Sequence, residues 1–85
     1  MNYKKGDYVS FRGQPHSVFI ARRVKYNGGN PLCFMVLYGS TDTKALAAFQ
    51  RNHGWSPNTR EYIAPLYEIE PANEMLVLAI AAQFD

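Results

Sequence analysis

The stretch KKGDYVSFRGQPHSVFIARRVKY, residues 4–26, decides the fold of this 85-residue chain. Its first part alternates with a period of two, so that Val9 and Phe11 fall on one face of an extended segment and polar residues fall on the other. Gly13 and Pro15 then interrupt the run, because glycine suits a tight turn and proline has no N–H for a strand ladder. The stretch therefore predicts two strands joined in a hairpin.

The second strand, residues 16–26, is interrupted on its apolar face by Arg22, which indicates either a β-bulge there or a strand that curves out past the rim of the barrel. Asn27-Gly28 predicts the next hairpin turn, and the third strand, residues 32–38, is apolar on both faces. Such a strand has to be covered twice, by the core on one side and by a helix or another subunit on the other. The residues predicted to share one core are Val9, Phe11, Val18, Ile20, Phe34, Val36 and Ile63.

Helix signals follow in the second half of the chain. Thr41 or Asp42 can cap a helix predicted over residues 43–52, which Gly54 closes with Trp55 folded back over its last turn. A strand over residues 60–64, a tight helical turn over 65–68 and a short closing strand at 69–70 come next.

The final element is predicted as a helix over residues 73–84, with Asn73 as its N-cap. A strand over residues 75–80 is the competing interpretation. The alanines favour the helix, because alanine is a strong helix former and a poor strand former.

Together these elements predict one α+β domain over residues 1–85: a five-stranded antiparallel barrel over about 6–71, an inserted helix and a C-terminal helix. The stretches GDYVSF and YIAPLYEIEP resemble those that open and close small prokaryotic and phage SH3-like barrel proteins. The resemblance covers Gly6 to Pro71 and implies a fold but no activity, since its motifs are structural. The resemblance also suggests that this chain is a mobile-element or phage accessory protein, since such barrels occur in those proteins.

One enzymatic branch of the SH3-like barrels, the plasmid-borne dihydrofolate reductase, is a tetramer around a central pore and carries a Val-Gln-Ile-Tyr strand. This chain has Glu61-Tyr62-Ile63-Ala64 at the comparable place and lacks the glutamine. The similarity therefore extends to the architecture and not to the reductase activity.

Composition narrows the function classes. The formal charge is +2, from nine basic and seven acidic residues, which is weak for a nucleic-acid-binding domain. The single cysteine excludes an intrachain disulfide and indicates a reducing compartment. The N-terminal residues lack the apolar segment of a secretory signal, and the apolar run at 75–82 is far shorter than the roughly 20 residues that span a bilayer. We expect a cytoplasmic protein without a cofactor.

Two groups of residues are candidates for binding. The first is a basic edge that could grip phosphates and stack bases, or else serve as a solvated edge that discourages aggregation; it comprises Tyr8, Arg12, Arg22, Arg23, Lys25 and Tyr26. The second is a surplus of apolar surface that predicts a homodimer, unless the C-terminal helix covers the third strand within one chain; it comprises Met35, Leu37, Met75, Leu78 and Ala82.

The sequence gives little indication of a metal site or of a catalytic nucleophile. His16, Cys33 and His53 lack the spacing of metal ligands, so no metal site is expected. Cys33, between Leu32 and Phe34, is typical of a small buried hydrophobe and not of a nucleophile. The leading interpretation is a small non-enzymatic binding module that self-associates through protein contacts. The alternatives are a nucleic-acid-binding barrel and, below it, a small enzyme with its site at an oligomer interface.

Overall fold

The computed structural model describes residues 2–26 and 28–84 and contains five strands and two α-helices. The strands are β1 (Tyr8–Phe11), β2 (Gln14–Lys25), β3 (Leu32–Ser40), β4 (Glu61–Pro65) and β5 (Ile69–Pro71). The helices are α1 (Thr43–Asn52) and α2 (Glu74–Ala82), and a 3₁₀ turn at Leu66–Glu68 precedes β5. The α+β class, the five antiparallel strands and both helices are confirmed.

The strands form one antiparallel sheet in the order β4-β3-β2-β1-β5. Every neighbouring pair except β1–β5 is also consecutive along the chain, so β5 returns to the far edge of the sheet. The register of β2 against β3 shifts between Ala21 and Arg23, which confirms the bulge predicted at Arg22. This shift moves Val24 onto the face that Ala21 occupies before the bulge.

Local sequence signals set the ends of α1. Asp42 is its N-cap, because the backbone N–H of Ala45 donates to Asp42 Oδ1 at 2.9 Å. At the other end Gly54 adopts a φ of +73°, and the N–H groups of Gly54 and Trp55 donate to the carbonyls of Arg51 and Gln50. This pair of bonds is a Schellman motif, and Trp55 packs against Phe49 and His53 at the last turn of the helix, as expected.

One face of the sheet carries the main core, and α1 covers it. We call it the inner face. Its buried side chains are Val9, Phe11, Phe19, Ala21, Cys33, Met35, Tyr62, Ala64 and Ile69, joined by Tyr3 and by Leu46 of α1. Phe11, Phe49 and Trp55 pack in mutual ring contacts, with centroids 4.8–5.9 Å apart.

The opposite, outer face is only partly covered, by α2. Ile80 of α2 and Val18 of β2 are buried there, and a Cβ placed on Gly39 would lie 2.5 Å from Ile80 Cγ2. The missing side chain at Gly39 therefore lets α2 approach the sheet closely. Asn73 caps α2 by accepting from the N–H groups of Met75 and Leu76 at 2.8 and 3.3 Å.

The predicted core was right for β1 and wrong in its choice of face for β2, β3 and β4. Val9 and Phe11 belong to the core, but Val18 is buried on the outer face. Ile20, Phe34 and Val36 are half-buried outside the core, and Ile63 is 49% exposed. Because side chains alternate along a strand, taking the wrong one of two apolar faces inverts the whole set.

Candidate functional site

The six residues of the predicted basic edge do not share one cleft. Arg12 and Tyr26 line a cleft at the end of the sheet where the β2–β3 loop meets the 3₁₀ turn. Arg22 and Arg23 lie beside Phe34 on the outer face, where the Arg23 guanidinium carbon stands 4.4 Å from the ring centroid of Phe34. Tyr8 lines a different cleft against α2, and Lys25 is exposed at the end of β2.

The cleft at Arg12 has a volume of about 480 Å³, within the usual range for small-molecule sites. We call it the tyrosine cleft, because three of the nine described residues that line it are tyrosines; among those nine, only Arg12 is charged. The lining residues are Asn2, Tyr3, Arg12, Tyr26, Gly29, Asn30, Pro31, Leu66 and Tyr67.

Hydrogen bonds hold the Arg12 side chain in place within this cleft. Its Nε donates to the carbonyl of Tyr67 at 2.9 Å, and Nη1 stands 3.9 Å from Glu70 Oε1. The Arg12 backbone N–H donates to the carbonyl of Glu68 at 2.9 Å. The guanidinium is thus oriented by one neutral carbonyl, that of Tyr67, and only loosely compensated by a carboxylate.

A second, larger cleft of about 610 Å³ lies between α2 and the start of β1. Its charged residues are both acidic, Asp7 and Glu74, and its apolar wall includes Pro71, Val77 and Leu78. This α2 cleft and the tyrosine cleft share Asn2 and Tyr3 at their edges. The N-terminal segment therefore borders one acidic, apolar cleft and one basic, aromatic cleft.

Next to the α2 cleft, the outward side of α2 is apolar and exposed. Met75 is 74% exposed and Leu78 is 63% exposed, and Ala82 lies two turns along from Met75 on the same side. An aromatic row adjoins α2, with ring centroids 5.2 Å apart between Tyr8 and Tyr38 and 5.4 Å apart between Tyr38 and Phe84.

Part of the predicted oligomer surface requires correction. Met35 is fully buried in the chain's own core, so its side chain is not available to a partner, and Leu37 is half-buried with its side chain packed against the same core. They lie on the inner face because β3 turns Cys33, Met35 and Leu37 toward α1. The other members, Met75, Leu78 and Ala82, are exposed on α2.

The residues with potential for catalysis or metal binding are separated. Cys33 is buried, and burial raises the pKa of its thiol, which disfavours the reactive thiolate. His53 stacks on Trp55 with ring centroids 4.9 Å apart, and its Nδ1 is 3.0 Å from the carbonyl of Phe49. Across residues 2–26 and 28–84, no three His, Cys, Asp or Glu side chains come together in a way that could hold a metal ion.

Sequence reasoning missed Tyr3 and Tyr67 as members of a site. Tyr3 precedes the first strand, and its hydroxyl donates to the carbonyl of Ile69 at 3.4 Å. Tyr67 lies in the 3₁₀ turn and is 70% exposed. The signal available in the sequence was a tyrosine within the predicted tight turn at 65–68, because turns lie at the surface and large aromatic side chains are usually at least partly buried.

Comparisons with protein-family models, with curated proteins and with solved structures find no significant match to this chain. Among the helices of the described residues, none has the length and apolar character needed to cross a membrane.

Proposed function

We propose that this chain is a small SH3-like binding module that acts through protein contacts and self-associates through α2. The fold part of the proposal is supported by the strand order β4-β3-β2-β1-β5 and by the long, bulged β2 that pairs with both β1 and β3. The 3₁₀ turn between β4 and β5 occurs where the sequence resemblance implied a tight helical turn.

The observation that carries the binding proposal is the exposed apolar side of α2. Residues 75–84 contain no charged side chain, yet α2 buries only Ile80 fully. A surface helix of a monomer ordinarily turns polar residues toward solvent. Burying a leucine-sized side chain is worth about 1.5–3 kcal/mol, so covering Met75 and Leu78 offers a substantial gain.

The occupant that we propose is a second copy of the chain. Met75, Leu78 and Ala82 form one stripe along α2, and a two-fold axis across that stripe would bring two identical stripes together. A stable interface buries roughly 800 Å² on each partner, so the contact extends onto the neighbouring aromatic row of Tyr8, Tyr38 and Phe84.

Sedimentation velocity over a range of concentrations tests this proposal. We expect the parent chain to sediment as a dimer and Leu78→Lys to sediment as a folded monomer, because the new ammonium would have to be buried without a partner. Ile63→Lys is the matched control: Ile63 is an exposed apolar residue of β4 outside α2, and its replacement is expected to leave the dimer intact. A parent chain that remains monomeric at the highest concentration would overturn the proposal.

A further inference from the structure

The tyrosine cleft has a chemistry that the proposed self-association does not use. Its aromatic surface is accessible: Tyr26 is 56% exposed and Tyr67 is 70% exposed. Within residues 2–26 and 28–84, the close ring-to-ring contacts involve neither of these tyrosines. Exposed aromatic side chains beside a single fixed cation are therefore the distinguishing feature of this cleft.

The walls of the cleft are tied together by backbone contacts. The N–H of Leu66 donates to the carbonyl of Pro31 at 3.2 Å, which joins the 3₁₀ turn to the β2–β3 loop. The N–H of Arg12 joins the end of β1 to the same turn through Glu68. Tyr3 closes the third side through its bond to Ile69, and burial raises the pKa of its hydroxyl, which therefore remains a donor at neutral pH. The backbone walls are therefore fixed before a ligand arrives, and binding would have to order mainly the exposed side chains of Tyr26 and Tyr67.

The charge of the cleft selects the ligand. Among the described residues, Arg12 is the only charged one that lines the tyrosine cleft, and Glu70 stands outside that lining with its Oε1 3.9 Å from Arg12 Nη1. The charged residues described in the lining of the α2 cleft are Asp7 and Glu74. An anion is therefore favoured in the tyrosine cleft and disfavoured in the α2 cleft. A guanidinium with free N–H groups pairs well with phosphate oxygens, and tyrosine rings stack on planar bases.

We propose that the tyrosine cleft binds a nucleotide unit, with its base against Tyr26 and Tyr67 and its phosphate at Arg12. A volume of about 480 Å³ suits one or two such units. Free nucleotides and single-stranded nucleic acid both present this chemistry, whereas the bases of a duplex are stacked inside it and do not reach the tyrosines. The lining of the tyrosine cleft includes no residue of α2, so nucleotide binding can be tested independently of the proposed dimer.

Fluorescence anisotropy with a labelled oligothymidylate of about eight nucleotides tests the site, with unlabelled nucleoside monophosphate and the matching duplex as competitors. We expect the oligonucleotide to bind at low salt and the duplex to compete poorly. Competition by the monophosphate at a similar concentration of nucleotide units would identify a free nucleotide as the source, and its failure would identify a strand. Absence of binding at low salt, or equal competition by the duplex, would overturn the proposal.

Variants separate stacking from charge. Tyr26→Ala and Tyr67→Ala are each expected to weaken binding about 5- to 100-fold, and the phenylalanine variants should retain it, because the ring supplies the stacking. Arg12→Gln should reduce the slope of log K against log salt by about 0.7, the value for one phosphate on a single strand. Lys44→Gln removes the same charge from an exposed position on α1 and should change affinity less than twofold. Equal effects of Arg12→Gln and Lys44→Gln would show a diffuse attraction and would contradict a site at Arg12.

Discussion

The two faces of the sheet are covered by helices of opposite character. The inner face is covered by α1, which is amphipathic and presents Leu46, Phe49 and Gln50 to the sheet. The outer face is covered by α2, which is apolar all round and inserts only Ile80 completely. An amphipathic helix indicates which side of it is covered, whereas a uniformly apolar helix indicates that a second surface is still to be covered.

The inner face also contains a buried hydrogen-bonded pair of polar side chains, Gln50 and Tyr62. Gln50 Nε2 donates to the hydroxyl of Tyr62 at 2.7 Å, and that hydroxyl donates to the carbonyl of Thr59 at 3.0 Å. This chain of bonds fixes α1 against β4 in a buried setting, where an unsatisfied group would be costly. On the outer face, the contact between α2 and the sheet depends on the shape of Gly39 and Ile80.

The largest expected effect on stability comes from replacing one phenylalanine on each face of the sheet and comparing the two losses in the free energy of unfolding. Phe19→Ala is expected to lower the free energy of unfolding by about 3–5 kcal/mol, because Phe19 is fully buried between Phe11 and Tyr62. Phe34→Ala should cost about 1–2 kcal/mol, from partial burial and the contact with Arg23. Urea denaturation at one fixed protein concentration measures both. Equal losses would mean that the two faces contribute alike.

This pair of variants also shows where sequence reasoning succeeded and failed. The range of α1, the Gly54 terminus and the bulge at Arg22 were predicted because each depends on signals within a few residues. The side of the sheet that faces the core was not predicted correctly for β2 and β3. Both strands carry apolar residues on both sides, and alternation alone does not show which of two apolar sides is buried in the core. Phe34 was expected in the core, where Cys33 and Met35 are found instead.

The candidate sites follow the same division. The exposed stripe of α2 was predictable, since it depends on one helix and its composition. The tyrosine cleft was not, because Tyr3, Arg12 and Tyr67 meet only through the pairing of β1 with β5. That pairing joins positions about 60 residues apart, and a pattern within a few residues of the sequence cannot predict it.

A second test concerns the close approach of α2 to the sheet. Gly39→Ala is expected to destabilise the protein by about 1–3 kcal/mol, because the new methyl group would meet Ile80 Cγ2. Gly13→Ala is the control: no atom lies within 4 Å of its added Cβ, and the change should stay within about 0.5 kcal/mol. Ile80→Ala should cost less in the Gly39→Ala background than in the parent chain, and additive effects would argue against the contact.

A third test concerns the buried bonds of the inner face. Tyr62→Phe is expected to cost about 1–2 kcal/mol, because it leaves Gln50 Nε2 without its acceptor. Adding Gln50→Met should recover part of that loss, since replacing both polar partners removes the unsatisfied group. Thermal unfolding of the two variants provides the measurement, and a double variant less stable than Tyr62→Phe would contradict this account.

The smallest expected effect on global stability comes from the N-caps, and it tests whether the two helices unfold together with the sheet. Asp42→Ala removes the bond to Ala45, and Asn73→Ala removes the bonds to Met75 and Leu76. Each cap is worth about 1 kcal/mol to its own helix.

Because α1 is part of the main core, we expect Asp42→Ala to lower the free energy of global unfolding by about the value of its cap. The α2 helix has fewer buried contacts and should open locally, so that Asn73→Ala accelerates amide exchange within α2 about fivefold while the free energy of global unfolding is unchanged. The experiment is best made in the Leu78→Lys background, so that the proposed self-association would not protect α2. If Asn73→Ala instead lowers global stability as much as Asp42→Ala, α2 belongs to the same cooperative unit as the inner face, and the contrast between the two helices is one of exposure alone.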